Sequence, residues 1–266
     1  MKLLNGSVLA GYIKERHVQQ VGQLKKRNIQ PKLAIVQVKD DPVINTYVRL
    51  KKQYGADIGV EVEVHTPKQT EAPELLNRLS NDKSVYGIIV QLPLTNPSET
   101  EKIVNLVAPE KDVDALGKDA QFEPATPMAI LWLLNGYNVD LAGKHVLLIG
   151  RGKLVGEPLE KILKSSGIDV KVIDREVKNL AEHTKEADII ITATGSPAIL
   201  YSDMIKQGAV VVDAGVASES GKTVGDLAPE VYERDDLTIT PEKGGVGPLT
   251  VCALFENVIR AASKAN

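Results

Sequence analysis

Short apolar runs alternate with stretches of helical period along most of this chain. Leu33–Val38, Gly59–Val64 and Gly87–Gln91 are β-branched runs in its first third. His145–Ile149, Val170–Ile173, Asp188–Thr192 and Ala209–Asp213 form a second group. Most are continuous rather than alternating, as expected of parallel strands covered on both faces. Between them, Pro73–Leu79 and Glu157–Lys164 carry apolar residues at helical spacing. Strand alternating with helix is the signature of an α/β fold.

The strands fall into two groups, one before residue 92 and one after residue 144. The stretch between them holds Pro93, Pro97, Pro109, Pro124 and Pro127, so it reads as linker and cleft wall rather than sheet. Within it, residues 127–138 predict a helix with Thr126 as N-cap and Pro127 at its first position. A last helix, Thr250 to Ala262, follows a glycine-rich loop with no later strand to pack on. It is expected to return to the first lobe. The organisation is two α/β lobes: 1–122 completed by 244–266, and a Rossmann-like lobe over 123–243.

Composition narrows the partners. The 266 residues hold 32 Lys and Arg against 35 Asp and Glu, a net charge of −3, which offers no general field for nucleic acid or anionic lipid. Aromatics are 4%, too few for base-stacking platforms. No run of roughly 18 apolar residues exists to span a bilayer. The first apolar residues are interrupted by Asn5, Gly6 and Ser7, too early for a signal-peptide core. Cys252 is a single cysteine, read as a small buried hydrophobe in a reducing compartment. His17, His65, His145 and His183 share no metal-ligand spacing, so no metal is expected. A cytoplasmic protein with no nucleic-acid or membrane partner follows as the expectation.

Chemistry enters at Gly150-Arg151-Gly152-Lys-Leu-Val-Gly156, between a strand and a helix. Outward backbone N–H groups and the helix dipole make such a turn an anion site suited to a pyrophosphate. Gly150 and Gly152 permit the turn and close backbone approach. The third glycine of a G-x-G-x-x-G fingerprint would stand at 155; Val155 is there and Gly156 follows. The alternative is a tight turn with no ligand. Asp174 directly follows the next strand, where an acid accepts hydrogen bonds from an adenosine ribose and repels a 2′-phosphate. Arg175 beside it could instead pair with that phosphate. Asp174 and Glu176 lean these residues towards NAD, whereas Arg151, Lys153 and Arg175 can supply charge for NADP.

In the first half, Tyr47 and Lys51 are four residues apart and share one face of a helix that opens at Asp40–Pro42. A lysine beside a tyrosine on a cleft wall suits proton transfer; solvated surface residues are the alternative. Further along come Gly87-Ile-Ile-Val-Gln91-Leu-Pro-Leu94, Lys111-Asp-Val-Asp114, Pro124-Ala-Thr-Pro127 and Gly244-Gly-Val-Gly-Pro248. This set, in this order and over residues 1 to 263, resembles the FolD family of bifunctional methylenetetrahydrofolate dehydrogenases and methenyltetrahydrofolate cyclohydrolases.

The resemblance implies roles. Lys51 is the lysine that assists proton transfer at the one-carbon bridge, Tyr47 positions the folate, and Gln91 hydrogen-bonds the lysine. Asp114 anchors the pterin ring, with a salt bridge to Lys111 as the alternative; Gly245 and Pro248 border the folate. Gly150, Arg151 and Gly152 match the cofactor phosphate turn, Val216 falls where the nicotinamide side is contacted, and the resemblance favours NADP, to whose 2′-phosphate Arg151, Lys153 and Arg175 can supply charge, with NAD as the alternative. It makes 1–122 with 244–266 the folate-binding catalytic domain, 123–243 the NAD(P)-binding domain, the substrates tetrahydrofolate derivatives and the assembly a homodimer. The sequence departs from the family pattern at Ala115, where glycine is usual, in the shortened 116–123 segment, at Ala125, at Pro241–Lys243 and at Gly152. A dehydrogenase without the hydrolytic step, or a non-catalytic nucleotide-sensing module, would be expected to lack the Lys51–Gln91 pair.

Overall fold

The computed structural model describes residues 1–174, 176–215, 217–219 and 222–264. The chain forms two compact units, 11–125 with 251–266 and 1–10 with 126–250. Its elements in order begin β1 (Lys2–Leu3), α1 (Gly6–Lys26), β2 (Lys32–Gln37), α2 (Pro42–Ile58), β3 (Glu61–His65), α3 (Ala72–Asn81), β4 (Gly87–Gln91) and α4 (Thr100–Val104). There follow α5 (Ala125–Gly136), β5 (Val146–Ile149), α6 (Gly156–Ser165), β6 (Val170–Ile173), α7 (Leu180–Glu186), β7 (Ile189–Thr192) and β8 (Val210–Asp213). The chain closes with the hairpin β9 (Ala217–Glu219) and β10 (Lys222–Val224), then β11 (Thr238–Ile239) and α8 (Val246–Lys264).

The unit of 11–125 and 251–266 is built on a three-stranded parallel sheet in the order β3-β2-β4. Strands β2 and β4 are apolar on both faces because helices cover both, whereas edge strand β3 alternates Glu61, Glu63 and His65 with Val62 and Val64. On one side Ala34, Val36, Ile88 and Val90 pack against Leu75, Leu76 and Leu79 of α3 and Ile103 and Val104 of α4. Residue 55 of α2 must be glycine, because a Cβ there would stand 2.4 Å from Val62 and 3.2 Å from the Phe255 ring of α8. The carboxyl-terminal helix therefore completes this unit. Its buried Asn257 donates to the carbonyls of Val113 and Glu123, each at 2.9 Å.

The other unit holds a six-stranded, all-parallel sheet in the order β1-β11-β8-β7-β5-β6. Ile149, Ile190, Val211 and Ile239, each fully buried, form the middle of its core. Starting from β5, the chain steps to β6 on one side and then to β7 on the other. That reversal is the topological switch point of a doubly wound sheet, and it opens a crevice at the carboxyl ends of β5 and β7.

Three boundaries differ from the sequence expectation. The run Met1–Leu4 is too short to show a strand pattern. Yet Lys2 and Leu4 donate to the carbonyls of Leu237 and Ile239, so the first ten residues join the nucleotide-type sheet. Helix α5 begins at Ala125, which puts Pro127 third rather than first. Helix α8 begins at Val246 and takes Gly247 and Pro248 into its first turn. The compact units thus place 1–10 and 244–250 with the six-stranded sheet, whereas the expected bounds were 1–122 with 244–266 and 123–243.

Candidate active site

The side chains suited to proton chemistry gather at the carboxyl end of the three-stranded sheet. That sheet reverses as well: β2 leads to β3 on one side and β4 lies on the other, so the β2–β4 seam is its switch point. Gln37 and Gln91 are register partners at the end of that seam. Helix α2 starts just beyond it. Asp41 caps the helix by accepting from the amides of Val43 and Ile44, and Pro42 supplies a preset first residue. Gln37 ties the cap region to the strand by donating to Asn45 Oδ1 at 2.7 Å and to the Lys39 carbonyl at 2.9 Å. A left-handed Gly59, φ 81°, ends the helix.

This framing fixes the face that carries Tyr47 and Lys51. Lys51 Nζ donates to Gln91 Oε1 at 2.7 Å. Gln91 Nε2 donates to the Leu92 carbonyl at 3.1 Å, which fixes the amide orientation and leaves only its oxygen for the lysine. Burial pushes the Lys51 ammonium below its ordinary value, and the charge of Asp114 pulls it part of the way back. Burial raises the Asp114 carboxyl, against which Lys51 acts. Tyr47, one helical turn before Lys51, is half-buried and its hydroxyl is raised by burial. The expected residues Tyr47, Lys51, Gln91 and Asp114 thus belong to one unit, with Lys51 coupled to two of the others.

Asp114 arrives by a route the sequence only partly showed. The strand-like segment at Asp112 pairs with Ile88 of β4, whose amide donates to the Lys111 carbonyl at 2.8 Å. Lys111 is turned away from Asp114: its Nζ donates to the carbonyls of Leu79 and Asp82 at the end of α3. It caps a helix C-terminus, which removes the alternative of an Asp114–Lys111 salt bridge.

The turn after β5 lies in the other unit and is built from backbone. Gly150 has φ 103°, and a Cβ on it would stand 2.6 Å from the Ala193 carbonyl oxygen at the end of β7. A Cβ on Gly156 would stand 2.1 Å from the Gly150 carbonyl oxygen. Gly156 therefore does the helix-against-strand packing expected of the third glycine, one residue later than the G-x-G-x-x-G count. At Gly152 a Cβ would meet no atom within 4 Å, so the turn is open on that side. An open, glycine-lined turn at the N-terminus of the ten-residue α6 fits a dinucleotide pyrophosphate. Arg151 is exposed and bonds Glu160 through its Nε at 3.1 Å; Lys164 takes the other Glu160 oxygen at 2.7 Å. Asp174 is exposed at the end of β6. Arg175 and Val216 lie outside the described residues.

Sequence reading missed two carboxylates that shape this end of the sheet. Fully buried Asp226 accepts from the amides of Thr194 and Ser196 at 2.8 and 3.1 Å. Asp213 accepts from the amides of Gly215, Asp226 and Leu227 and from Thr192 Oγ1. Burial, then the Asp226 charge, raises the Asp213 carboxyl despite those amides. Together they set the loops after β7 and β8. Gly245 is buried under Gly6, whose Cβ would stand 1.8 Å from the Gly245 carbonyl oxygen, so this glycine first serves the packing of α1. Among the described residues no group of three His, Cys, Asp or Glu is placed to hold a metal ion, and no helix is long and apolar enough to cross a membrane.

Residues 4–114 match the family model for the tetrahydrofolate dehydrogenase/cyclohydrolase catalytic domain, and residues 124–266 match that for its NAD(P)-binding domain. The chain is 37% identical to the bifunctional protein FolD of Exiguobacterium sibiricum, over 98% of this chain and 99% of that one. The crystal structure of the bifunctional FolD enzyme of Campylobacter jejuni superposes with a TM-score of 0.94 at 36% identity, covering all of both chains. The Trypanosoma brucei methylenetetrahydrofolate dehydrogenase-cyclohydrolase, solved with NADP and an inhibitor, gives 0.92 at 27% identity over 99% of this chain and 97% of that one.

Proposed function

The chain belongs to the tetrahydrofolate dehydrogenase/cyclohydrolase family, and from that premise we propose how its own residues divide the family's two reactions. The first oxidises 5,10-methylenetetrahydrofolate to the methenyl cation; the second hydrolyses that cation to 10-formyltetrahydrofolate. The observation that carries the assignment is the 2.7 Å bond from Lys51 Nζ to a Gln91 oxygen whose amide is already oriented.

NADP, when bound, supplies the hydride acceptor for the first reaction. The Gly150–Gly156 turn would hold its pyrophosphate. Arg151 would bring positive charge to the 2′-phosphate, with Glu160 shared between it and Lys164. Asp174, exposed at the end of β6, would meet the ribose end of such a ligand. Hydride transfer needs the two carbons placed and water excluded, not an acid.

The second reaction needs protons to move as water attacks an amidinium-like carbon. A lysine pushed down by burial is more readily neutral than a solvated one, and as the neutral amine it can take a proton from that water. Gln91 supports the neutral amine without adding charge, while Asp114 limits the downward push. Asp114 can also accept from the pterin amino group and the adjacent ring N–H together. Tyr47 stands on the same helix face, where its ring can position the pterin. Gly245 and Pro248, at the start of α8, are assigned to the folate border. The working protein is taken to be a cytoplasmic homodimer acting on folates, joined through the unit of the six-stranded sheet, with no nucleic-acid or membrane partner; sedimentation at micromolar concentration tests the assembly.

The direct test follows methenyltetrahydrofolate by absorbance with NADP and with NAD. Formation and decay of the methenyl signal, faster with NADP, is expected. Accumulation without decay would leave only the dehydrogenase, and a strong NAD preference would overturn the cofactor assignment.

A further inference from the structure

Asp112 is 4% exposed and sits two residues before Asp114. The carboxyl groups on either side of Val113 meet different surroundings. Asp112 Oδ2 accepts from the Gly117 amide at 2.7 Å. Its own carbonyl accepts from the Ala115 amide at 3.3 Å, closing a tight turn. Ala115 is held there at φ 55°, a left-handed conformation that an L side chain disfavours. A Cβ on Gly117 would stand 3.0 Å from Asp112 Oδ2 and 3.5 Å from the Val104 carbonyl oxygen, so the carboxylate and the turn are in close contact. On the other side, Val113 is fully buried, and Asn257 of α8 holds its carbonyl. The backbone of Asp114 is thus pinned from both flanks.

We propose that Asp112 is a positioning residue for the folate site: by clamping the 115–117 turn it sets where the Asp114 carboxylate stands with respect to Lys51. The proposal rests on the folate reading of Asp114 and deepens it. Among the described residues the charged group that acts on Asp112 is Asp114, a like charge; Lys111, its neighbour in sequence, is engaged at the end of α3, and the other groups facing it are backbone amides and the Asn105 side chain beside Gly117. Burial and, after the Gly117 amide's opposing effect, the Asp114 charge bring the Asp112 carboxyl up to about 6. The clamp therefore gives way on the acid side of neutrality, because a protonated carboxyl is a weaker acceptor for the Gly117 amide. Asparagine at 112 does not titrate, so this acid-side release is lost in Asp112→Asn.

The test compares KM for methylenetetrahydrofolate, KM for NADP and kcat from pH 5 to 8 in the unmodified enzyme and in Asp112→Asn. Asparagine offers one acceptor and turns an NH₂ towards amide donors. Folate KM at pH 7.5 is expected to rise about tenfold, as for loss of a charge-assisted hydrogen bond. NADP KM should stay within about twofold, and the acid rise of folate KM should move to lower pH. The double variant Asp112→Asn/Ala115→Gly should recover part of the folate KM, since glycine takes the left-handed turn unaided. Unchanged folate KM, or both KM values raised with the acid rise unmoved, would overturn the proposal. If Asp112→Asn does not fold, amide exchange of Gly117 in the unmodified protein decides. Its protection, corrected for intrinsic rate, should fall below pH 6 more than that of the β4 amides; equal change would overturn the clamp. An unmodified enzyme that does not turn over the folate would sink the folate reading instead, and the exchange measurement would still judge the clamp.

Discussion

The two units solve the same topological problem with opposite chemistry. Each is a parallel sheet whose strand order reverses, β2 to β4 in one and β5 to β7 in the other, and each gathers its candidate residues at the carboxyl end of that seam. In the six-stranded unit the seam is lined by backbone. Gly150 lies against the Ala193 carbonyl and Gly156 against Gly150, leaving an open turn at a helix start. In the three-stranded unit the seam ends in side chains: Gln91, Lys51 above it and Asp114 alongside, with Lys51 and Asp114 both shifted towards neutrality by burial. A dinucleotide needs amides, a dipole and room. Hydrolysis of a cation needs a base whose proton affinity suits neutral pH. One architecture serves both, because the switch point supplies a place and the residues at the strand ends supply the chemistry.

The largest effect that separates the two seams is expected at Lys51. Lys51→Met should lower cyclohydrolase turnover by about a hundredfold or more, the range of a general acid–base group. It should also make the fold more resistant to heat at neutral pH. A lysine whose folded pKa is lowered binds fewer protons folded than unfolded, so its stability contribution improves only as pH rises towards 10.5. Methionine removes that penalty. Retained hydrolysis in a folded Lys51→Met enzyme would falsify the role.

Next comes the backbone seam. Gly156→Ala forces a methyl to within 2.1 Å of the Gly150 carbonyl oxygen and should cost about 2 kcal/mol by denaturant melt. Gly152→Ala meets no protein atom, so stability should hold within about 0.5 kcal/mol while NADP KM rises. Equal behaviour of the two variants would mean that the open side of the turn faces no ligand.

Asp114→Asn should weaken folate binding about tenfold and leave NADP binding unchanged in a titration. Equal loss of both would point to misfolding. The smallest effect is at Ala115. Ala115→Gly relieves the left-handed strain and should stabilise the protein by about 0.5 kcal/mol in a chemical melt, the relief exceeding the added unfolded-state entropy. A loss of stability would show that the methyl of Ala115 packs usefully.

The sequence made the two-sheet α/β plan legible because buried parallel strands are continuous apolar runs, as in Leu33–Val36 and Ile189–Ile191. It did not show β1, since two residues carry no period, nor that the glycines at 244 and 245 serve the packing of Gly6 and Ser7. The quartet Tyr47, Lys51, Gln91 and Asp114 was legible from motif order. The supporting residues were not. Asn257, Asp112 and Asp226 are buried and Asp213 is half-buried; their partners are mostly backbone amides and carbonyls, and a backbone partner leaves no mark in the sequence. Lys111 shows the converse: its neighbour-in-sequence carboxylate suggested an ion pair, whereas the chain turns its amine to the end of α3.

The account turns on the proton affinity of one amine. Titration of the Lys51 Nζ by heteronuclear NMR, with the signal assigned by its absence in Lys51→Met, measures it directly. The midpoint should lie below 10.5 in the free enzyme and fall further in Asp114→Asn, whose lost charge had been holding it up. A midpoint at or above 10.5, unmoved by Asp114→Asn, would contradict a half-buried lysine acting as the base.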